Sequence, residues 1–389
     1  MTERKPAAEL IHHPYQPPAG FASPAVAVHK GSSVFFEDVA ALKCVRWADR
    51  DAYTYGLHGT PTTFALEARL ATLEGAQHVL LAPSGLAALN LVNQSLLKSG
   101  DQLLIPDNVY GPSRNSARHE LAGWGIDHAV YDPLDPADLA AKLTSATRLV
   151  WLEAAGSITL EFPDLMGLIA AVRAGAPQAL IALDNTWGAG LAFDAFALGV
   201  DLTLHALTKY PSGGGDVLMG SVATRDRSLF ERLAATHGRS GLGVGANDVE
   251  LVLRGLATLP LRYAAQDAAA RRVAAWAQQH PAVAQVLHPA LPGSPGHVHW
   301  QQLCRAAAGL LTLRFQPGTS AARIEAAVDA LRVFRLAWSW GGPVSLAVPY
   351  ELTHLRSLRR REETVLRLAI GLEEPEVLMA DLAQAFEQL

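Results

Sequence analysis

Short apolar runs alternating with helix-period stretches set the pattern of the chain from about residue 60 onward. The runs are 78–81, 102–105, 128–131, 149–152, 179–183 and 202–207, with 217–223 after a glycine-rich segment. Several have almost no polar alternation, as expected of strands covered on both faces. Between them apolar residues recur three and four apart, as in Phe64, Ala65, Leu66, Leu70, Ala71 and Leu73, a period that predicts helices. This alternation predicts the α/β class, a large domain built on a mostly parallel sheet. Ligands of such sheets bind outside the carboxyl ends of the strands. Ser84, Gly85, Tyr110, Glu153, Asp184 and Lys209 all stand just after apolar runs, so they are expected to converge on one crevice.

Near Asp248 the pattern becomes long and helical, and an Ala- and Arg-rich helix is expected from about 263 to 280. Residues 281–295 read as turns. Strands are expected at 310–315, 333–338, 345–348 and 364–370, and helices at 320–331 and 375–386. This predicts a second, smaller α+β unit. Residues before about 60 are rich in Pro and Gly and lack a clear period. The expected organisation is an N-terminal arm over 1–59 that contacts a neighbouring subunit, a large domain over 60–255 and a small C-terminal domain over 256–389.

Composition narrows the functional classes. Half of the 389 residues are hydrophobic and 18% are charged, so a large core is expected and global disorder is not. A net charge of −5 gives no basis for nucleic-acid binding. Arg359, Arg360 and Arg361 are followed at once by Glu362 and Glu363 and read as a self-compensated surface. No apolar run approaches a membrane span, and no secretory signal is visible at the polar start. Cys44 and Cys304 have neither disulfide nor zinc spacing, which suits a reducing cytoplasm. His12, His13, His297 and His299 lack carboxylate or cysteine company at ligand spacing, so no metal is expected.

The chemistry concentrates at Lys209. It follows an apolar run and precedes the loop Pro211-Ser212-Gly213-Gly214-Gly215. A lysine at a buried strand end is costly to keep charged, and that setting favours the neutral, nucleophilic amine. Asp184 ends another apolar run. A Schiff-base lysine and a carboxylate for the pyridinium nitrogen are the two protein groups that pyridoxal phosphate requires. The alternative for each is an ordinary solvated charge. Ser84-Gly85-Leu86 has the form of a helix start that can hold a phosphate or simply be a Ser cap. Thr208 can add a hydroxyl to the same phosphate. Tyr110 can stack on a flat cofactor or be a core tyrosine.

The motifs Tyr55-Gly56-Leu57-His58-Gly59-Thr60-Pro61-Thr62, Ser84-Gly85-Leu86-Ala87-Ala88, Leu183-Asp184-Asn185-Thr186 and Leu207-Thr208-Lys209-Tyr210 resemble, in order and spacing, those of the Cys/Met-metabolism pyridoxal-phosphate enzymes. Further markers are Glu153 with Gly156-Ser157-Ile158-Thr159, Ser339-Trp340-Gly341-Gly342 and Arg367-Leu368 before Ile370-Gly371-Leu372-Glu373. They make the chain most similar to the bacterial cystathionine β-lyase branch. The γ-acting branches usually carry Leu at the position of Trp340. The resemblance implies pyridoxal-phosphate transferase fold type I, like aspartate aminotransferase, and cleavage of L-cystathionine or related cysteine S-conjugates in methionine biosynthesis. It implies a cytoplasmic homo-oligomer, a dimer-based tetramer. Lys209, Tyr110 and Tyr55 would be the catalytic residues. Lys209, Asp184, Tyr110, Gly85, Leu86, Thr208 and Tyr55 would hold the cofactor, Tyr55 from the neighbouring subunit. Arg367, Ser339 and Trp340 would bind the substrate carboxylate.

Three positions depart from the family pattern: Leu57 where an arginine usually meets the phosphate, Ala206 where serine is common, and the glycine loop after Lys209. The readings kept beside the β-lyase are a γ-acting relative (cystathionine γ-synthase, methionine γ-lyase or a sulfhydrylase) and a pyridoxal-phosphate protein without catalysis. A nicotinamide enzyme is disfavoured because no strand is followed by G-x-G-x-x-G.

Overall fold

The computed structural model describes residues 6–14, 19–20, 23–46, 52–359 and 361–389. Arg360 of the basic cluster lies outside the described residues. Each of the seven apolar runs yields a strand: β1 (His78–Ala82), β2 (Gln102–Pro106), β3 (Asp127–Tyr131), β4 (Thr147–Glu153), β5 (Leu180–Asp184), β6 (Leu202–Ala206) and β7 (Gly220–Thr224). They form one sheet in the order β1-β7-β6-β5-β4-β2-β3. From β3 to β6 every pairing is parallel, and β7 runs antiparallel to both β6 and β1. Gly220 at the start of β7 therefore lies at the carboxyl ends of β1 and β6, opposite Ala82 and Ala206.

One face of the sheet packs Leu80, Leu103, Ile105, Leu149, Trp151, Leu202 and Leu204 into a core with the helix Gly85–Leu96. The other face packs Val79, Leu81, Leu104, Val150, Leu152, Ile181 and Leu183 against the helices Pro61–Glu74 and Leu165–Gly175. Burying both faces is what removed the polar alternation from these segments. Thr60 caps the helix Pro61–Glu74 by accepting the Thr63 N–H, and Gly75 ends it in a left-handed turn, the usual start and stop signals.

A second sheet contains β8 (Val283–Leu287), β9 (Leu310–Phe315), β10 (Leu346–Glu351) and β11 (Thr364–Ala369), all antiparallel in the order β10-β11-β9-β8. Three expectations need correction. The segment read as turns contributes the edge strand β8, whose Val283 and Val286 are buried although the run is short. The strand expected at 333–338 is reduced to one bridge, Arg335 with Leu346. Leu336 and Trp338 are 64% and 84% exposed there, and only Phe334 is buried in the core of the small sheet, so half of the alternation that suggested a strand faces outward. The two helices expected on either side of residue 260 are one helix, Ala246–Ala277, with Pro260 inside it.

That helix runs through the expected boundary at 255/256. Val249 to Tyr263 belong to the core of the large sheet, and Ala269 to Ala277 to the core of the small one. The arm also differs from an extended segment at its start. Pro6–Ile11 is helical, and Leu10 is buried in the core of its own chain.

Candidate active site

The carboxyl edge of the large sheet and the near edge of the small one enclose a pocket of about 510 Å³, within the usual range for small-molecule sites. Ser84, Gly85, Tyr110, Glu153, Asp184 and Lys209 all line it, so the strand ends converge as expected. Leu86, Thr208, Ser339, Trp340 and Arg367 join them. Tyr55 does not. It lies on the arm, 48% exposed, in a bridge with Ser33.

Each side chain is placed by a local structural reason. The helix Gly85–Leu96 begins at the end of β1. Ser84 accepts the Ala87 N–H at 3.0 Å, and Ala88 N–H donates to Ser84 O. The Gly85 and Leu86 N–H groups keep no acceptor among the described residues, as the first turn of a helix requires. Gly85 is packed against β6 so closely that a Cβ would lie 2.7 Å from Ala206 Cβ. The small side chain at Ala206 and the absent one at Gly85 thus open the same cradle. Thr208 also faces the pocket, but its hydroxyl accepts the Met219 N–H at 3.1 Å and lies 3.3 Å from Met219 O. The loop after Lys209 bends where Gly213 meets the Arg262 guanidinium.

Asp184 ends β5 directly opposite Glu153, its register partner at the end of β4. Its Oδ1 accepts the Thr186 N–H at 3.0 Å and the Thr186 hydroxyl at 2.5 Å. Its Oδ2 has no partner among the described residues. Burial raises the Asp184 carboxyl, against the Thr186 hydrogen bonds and the charges of His205 and Lys209. Glu153 is pushed well up, by burial first and by Asp184 second. Its Oε2 accepts the Tyr110 N–H at 2.8 Å, which fixes the turn carrying the Tyr110 ring. Burial raises the Tyr110 phenol too, with Asp184 and Glu153 adding to it, so its proton stays on oxygen at neutral pH.

Lys209 Nζ donates to Ser339 Oγ at 3.0 Å and stands 5.6 Å from the Trp340 ring. Burial, then Arg367, lower its amine from 10.5 to about 8, and Asp184 opposes this. Trp340 packs edge-on to Tyr210 at 5.3 Å. Gly341 makes that approach possible: it has φ +78° and a Cβ there would lie 2.8 Å from Tyr210 N. Arg367 comes from β11, is 6% exposed, and donates to Ser157 O at 3.2 Å beneath the Tyr350 ring.

One cluster was not foreseen. Arg356 lines the pocket and is buried. It donates to Asp107 Oδ2 at 2.8 Å, Thr159 Oγ1 at 2.9 Å and Glu161 Oε1 at 2.7 Å. Asp107 also accepts from Ser357, Leu358 and Arg359, and these bonds hold it well below the ordinary carboxylate range despite burial. The only sequence signal was its position, Asp107 directly after the β2 run. Arg356 carried no signal of its own in the sequence, and Arg359, read as part of a self-compensated surface with Glu362 and Glu363, pairs instead with Asp132 at 2.6 Å.

The family pattern of Cys/Met metabolism PLP-dependent enzymes matches residues 7–387. The chain belongs to this family. It is 37% identical to the cystathionine β-lyase of Bordetella avium over 97% of each chain. It is 34% identical to that of Escherichia coli over 93% of each. A solved cystathionine γ-synthase from Xanthomonas oryzae superposes with a TM-score of 0.90 at 28% identity, covering 100% of this chain and 99% of the other. The fold is therefore fold type I α/β, and as a member of this family the protein is a pyridoxal-phosphate enzyme acting on amino acids.

The residues present fit that cofactor. Two unclaimed N–H groups stand at a helix start for the phosphate. The Asp184 carboxylate has one open oxygen, and a cationic ring nitrogen there opposes what burial does to it. The Lys209 amine is already disposed to lose its proton. Among the described residues no group of three His, Cys, Asp or Glu could hold a metal ion, and no helix is long and apolar enough to cross a membrane.

Proposed function

We propose that this protein is a carbon–sulfur β-lyase that cleaves L-cystathionine to homocysteine, pyruvate and ammonia, with other cysteine S-conjugates as further substrates. The observation that carries the reading is the Lys209 amine held between Ser339, Trp340 and Arg367 in one pocket. It is supported by likeness to cystathionine β-lyases along nearly the whole chain.

When bound, pyridoxal phosphate supplies an electron sink beside the substrate Cα. The Gly85 and Leu86 N–H groups would hold its phosphate. Thr208 can add a bond only by turning its hydroxyl hydrogen away from Met219 O. Asp184 Oδ2 would pair with the ring nitrogen and Tyr110 would stack on the ring. Arg367 takes the substrate α-carboxylate with its forked N–H groups. Lys209 Nζ would hold the cofactor and, once freed, would be the base that removes the Cα proton and, as the ammonium, the acid that returns a proton to the departing thiolate. Ser339 aims that amine by accepting one of its hydrogens. Trp340 walls it from water.

A homo-oligomer, a dimer-based tetramer in the cytoplasm, is part of this reading, and the exposed apolar residues of the arm favour a partner copy. Phe35 is 98% exposed, with Val39 and Leu42 also outward, and a second copy would cover them and bring Tyr55 to the neighbouring phosphate. The γ-acting alternative has the likeness to a γ-synthase structure behind it. Purified protein given pyridoxal phosphate and L-cystathionine decides between them. Pyruvate supports the β-lyase, and 2-oxobutyrate moves the chain to the γ branch.

A further inference from the structure

Behind the pocket, on the opposite face of the large sheet, lies a buried pair that the site described so far does not use. Asp184 is paired in register with Leu204, so Asn185 and His205 that follow them point to the other face. There His205 Nε2 lies 2.7 Å from Glu74 Oε1, with both side chains under 5% exposed. Asn185 Nδ2 donates to Glu74 Oε2 at 3.3 Å. Gly190 closes over the carboxylate so tightly that a Cβ would lie 2.7 Å from Oε1.

A carboxylate and an imidazole buried in an otherwise apolar core are expensive, and well-packed apolar residues would be at least as stable. The pair therefore calls for a use. At 2.7 Å the imidazole Nε2 and the carboxylate oxygen are in direct ion-pair contact. The backbone links this pair to the site on both sides. Asn185 follows Asp184. Ala206, next to His205, donates its N–H to Thr186 Oγ1 at 2.9 Å, and that hydroxyl donates to Asp184 Oδ1.

We propose that the Glu74–His205 pair is a positioning element for the reaction: a cation held behind the sheet that keeps Asp184 in the carboxylate form that the cofactor ring nitrogen requires. The proposal rests on the reading that Asp184 faces that nitrogen. The groups acting on Asp184 are Glu153 from β4, Lys209 after β6, Tyr110 after β2 and His205 from behind. The charge of His205 works against burial at Asp184, as that of Lys209 does. Glu74 is raised by burial, yet His205, Thr203 and Asn185 bring it below its ordinary value, so it can anchor a cation.

The test compares His205→Asn, Asp184→Asn and the double variant in cofactor dissociation constant and in the absorbance of the bound cofactor across pH. His205→Asn is expected to weaken cofactor binding about tenfold and to move the absorbance titration by about one pH unit. In the Asp184→Asn background it should change neither. Equal loss in both backgrounds shows a structural tie only and overturns the proposal. Loss in Asp184→Asn with none in His205→Asn overturns the proposal alone. An Asp184→Asn variant that binds like the wild type overturns the underlying role of Asp184 as well. Should His205→Asn not fold, nitrogen-15 spectra of the wild-type holoenzyme decide: an imidazolium at residue 205 supports the pair as a cation, and a neutral ring overturns it.

Discussion

The lowered amine of Lys209 makes a quantitative prediction. A shift from 10.5 to about 8 is worth about 3 kcal/mol. At neutral pH about a tenth of the amine is then neutral, against roughly three parts in ten thousand for an ordinary lysine, a gain of about 300-fold. Competitive acetylation of the cofactor-free protein, with the Lys209 peptide quantified by mass spectrometry, should show half-maximal reactivity at about 8. The same shift has a cost in stability. Between about 8 and 10.5 the unfolded chain holds a proton that the folded chain has lost, so folding stability rises with pH through this window. Below it the folded state carries the full penalty. Lys209→Met keeps most of the volume without the charge, so the cofactor-free variant should be more stable at neutral pH by up to about 3 kcal/mol. That advantage should fade as pH rises toward 10.5. A labelling half-point near the ordinary lysine value, with no gain in the urea midpoint of Lys209→Met, would refute the reasoning.

Other consequences can be checked alongside. Lys209→Ala should abolish both lyase turnover and the cofactor absorbance that depends on attachment to the amine; retained turnover places the base elsewhere. Arg367→Leu should raise KM for amino-acid substrates by about tenfold to a hundredfold, the value of a lost charge-assisted bond of roughly 1.5–3 kcal/mol; an unchanged KM assigns the carboxylate to another group. Asp107→Asn breaks a buried ion pair and should cost about 3–5 kcal/mol in urea unfolding, toward the low end because Glu161 still faces Arg356. Since the folded Asp107 carboxyl sits below its unfolded value, that stabilisation is complete above about pH 4 and drains away as pH falls. The wild type should therefore lose its advantage over Asp107→Asn in acid, and a gap independent of pH would count against the ion pair.

The large sheet was legible because most of its strands are buried on both faces, leaving apolar runs with abrupt polar ends; only edge strand β3 is half-exposed. Those ends are the site: Asp184 and Lys209 stood out as charges closing runs that otherwise carry none. Arg367, Ser339 and Trp340 came only through resemblance, since an arginine within an antiparallel strand has no local signal of a ligand. The strand expected at 333–338 failed because Leu336 and Trp338 are apolar for reasons other than a core. β8 was hidden because Pro281 and the following turns dominate its short run. Glu74 and His205 were invisible as a pair, being 131 residues apart in sequence and meeting only when the helix Pro61–Glu74 lies on the sheet.

The Asp107 cluster bears on how the protein matures during synthesis. Asp107 bonds Arg356 across 249 residues of chain, and its carboxylate also holds the backbone of 357–359. At translation rates of about 5–20 residues per second, roughly 12–50 s separate the emergence of these two partners. For that interval a nascent chain holds a nearly complete large sheet with an unpaired acid at the rim of its pocket. A polypeptide stopped before Arg356 would keep Lys209 and Asp184 yet lack both this tether and Arg367, so the site becomes complete only once the segment from Arg356 to Arg367 has emerged.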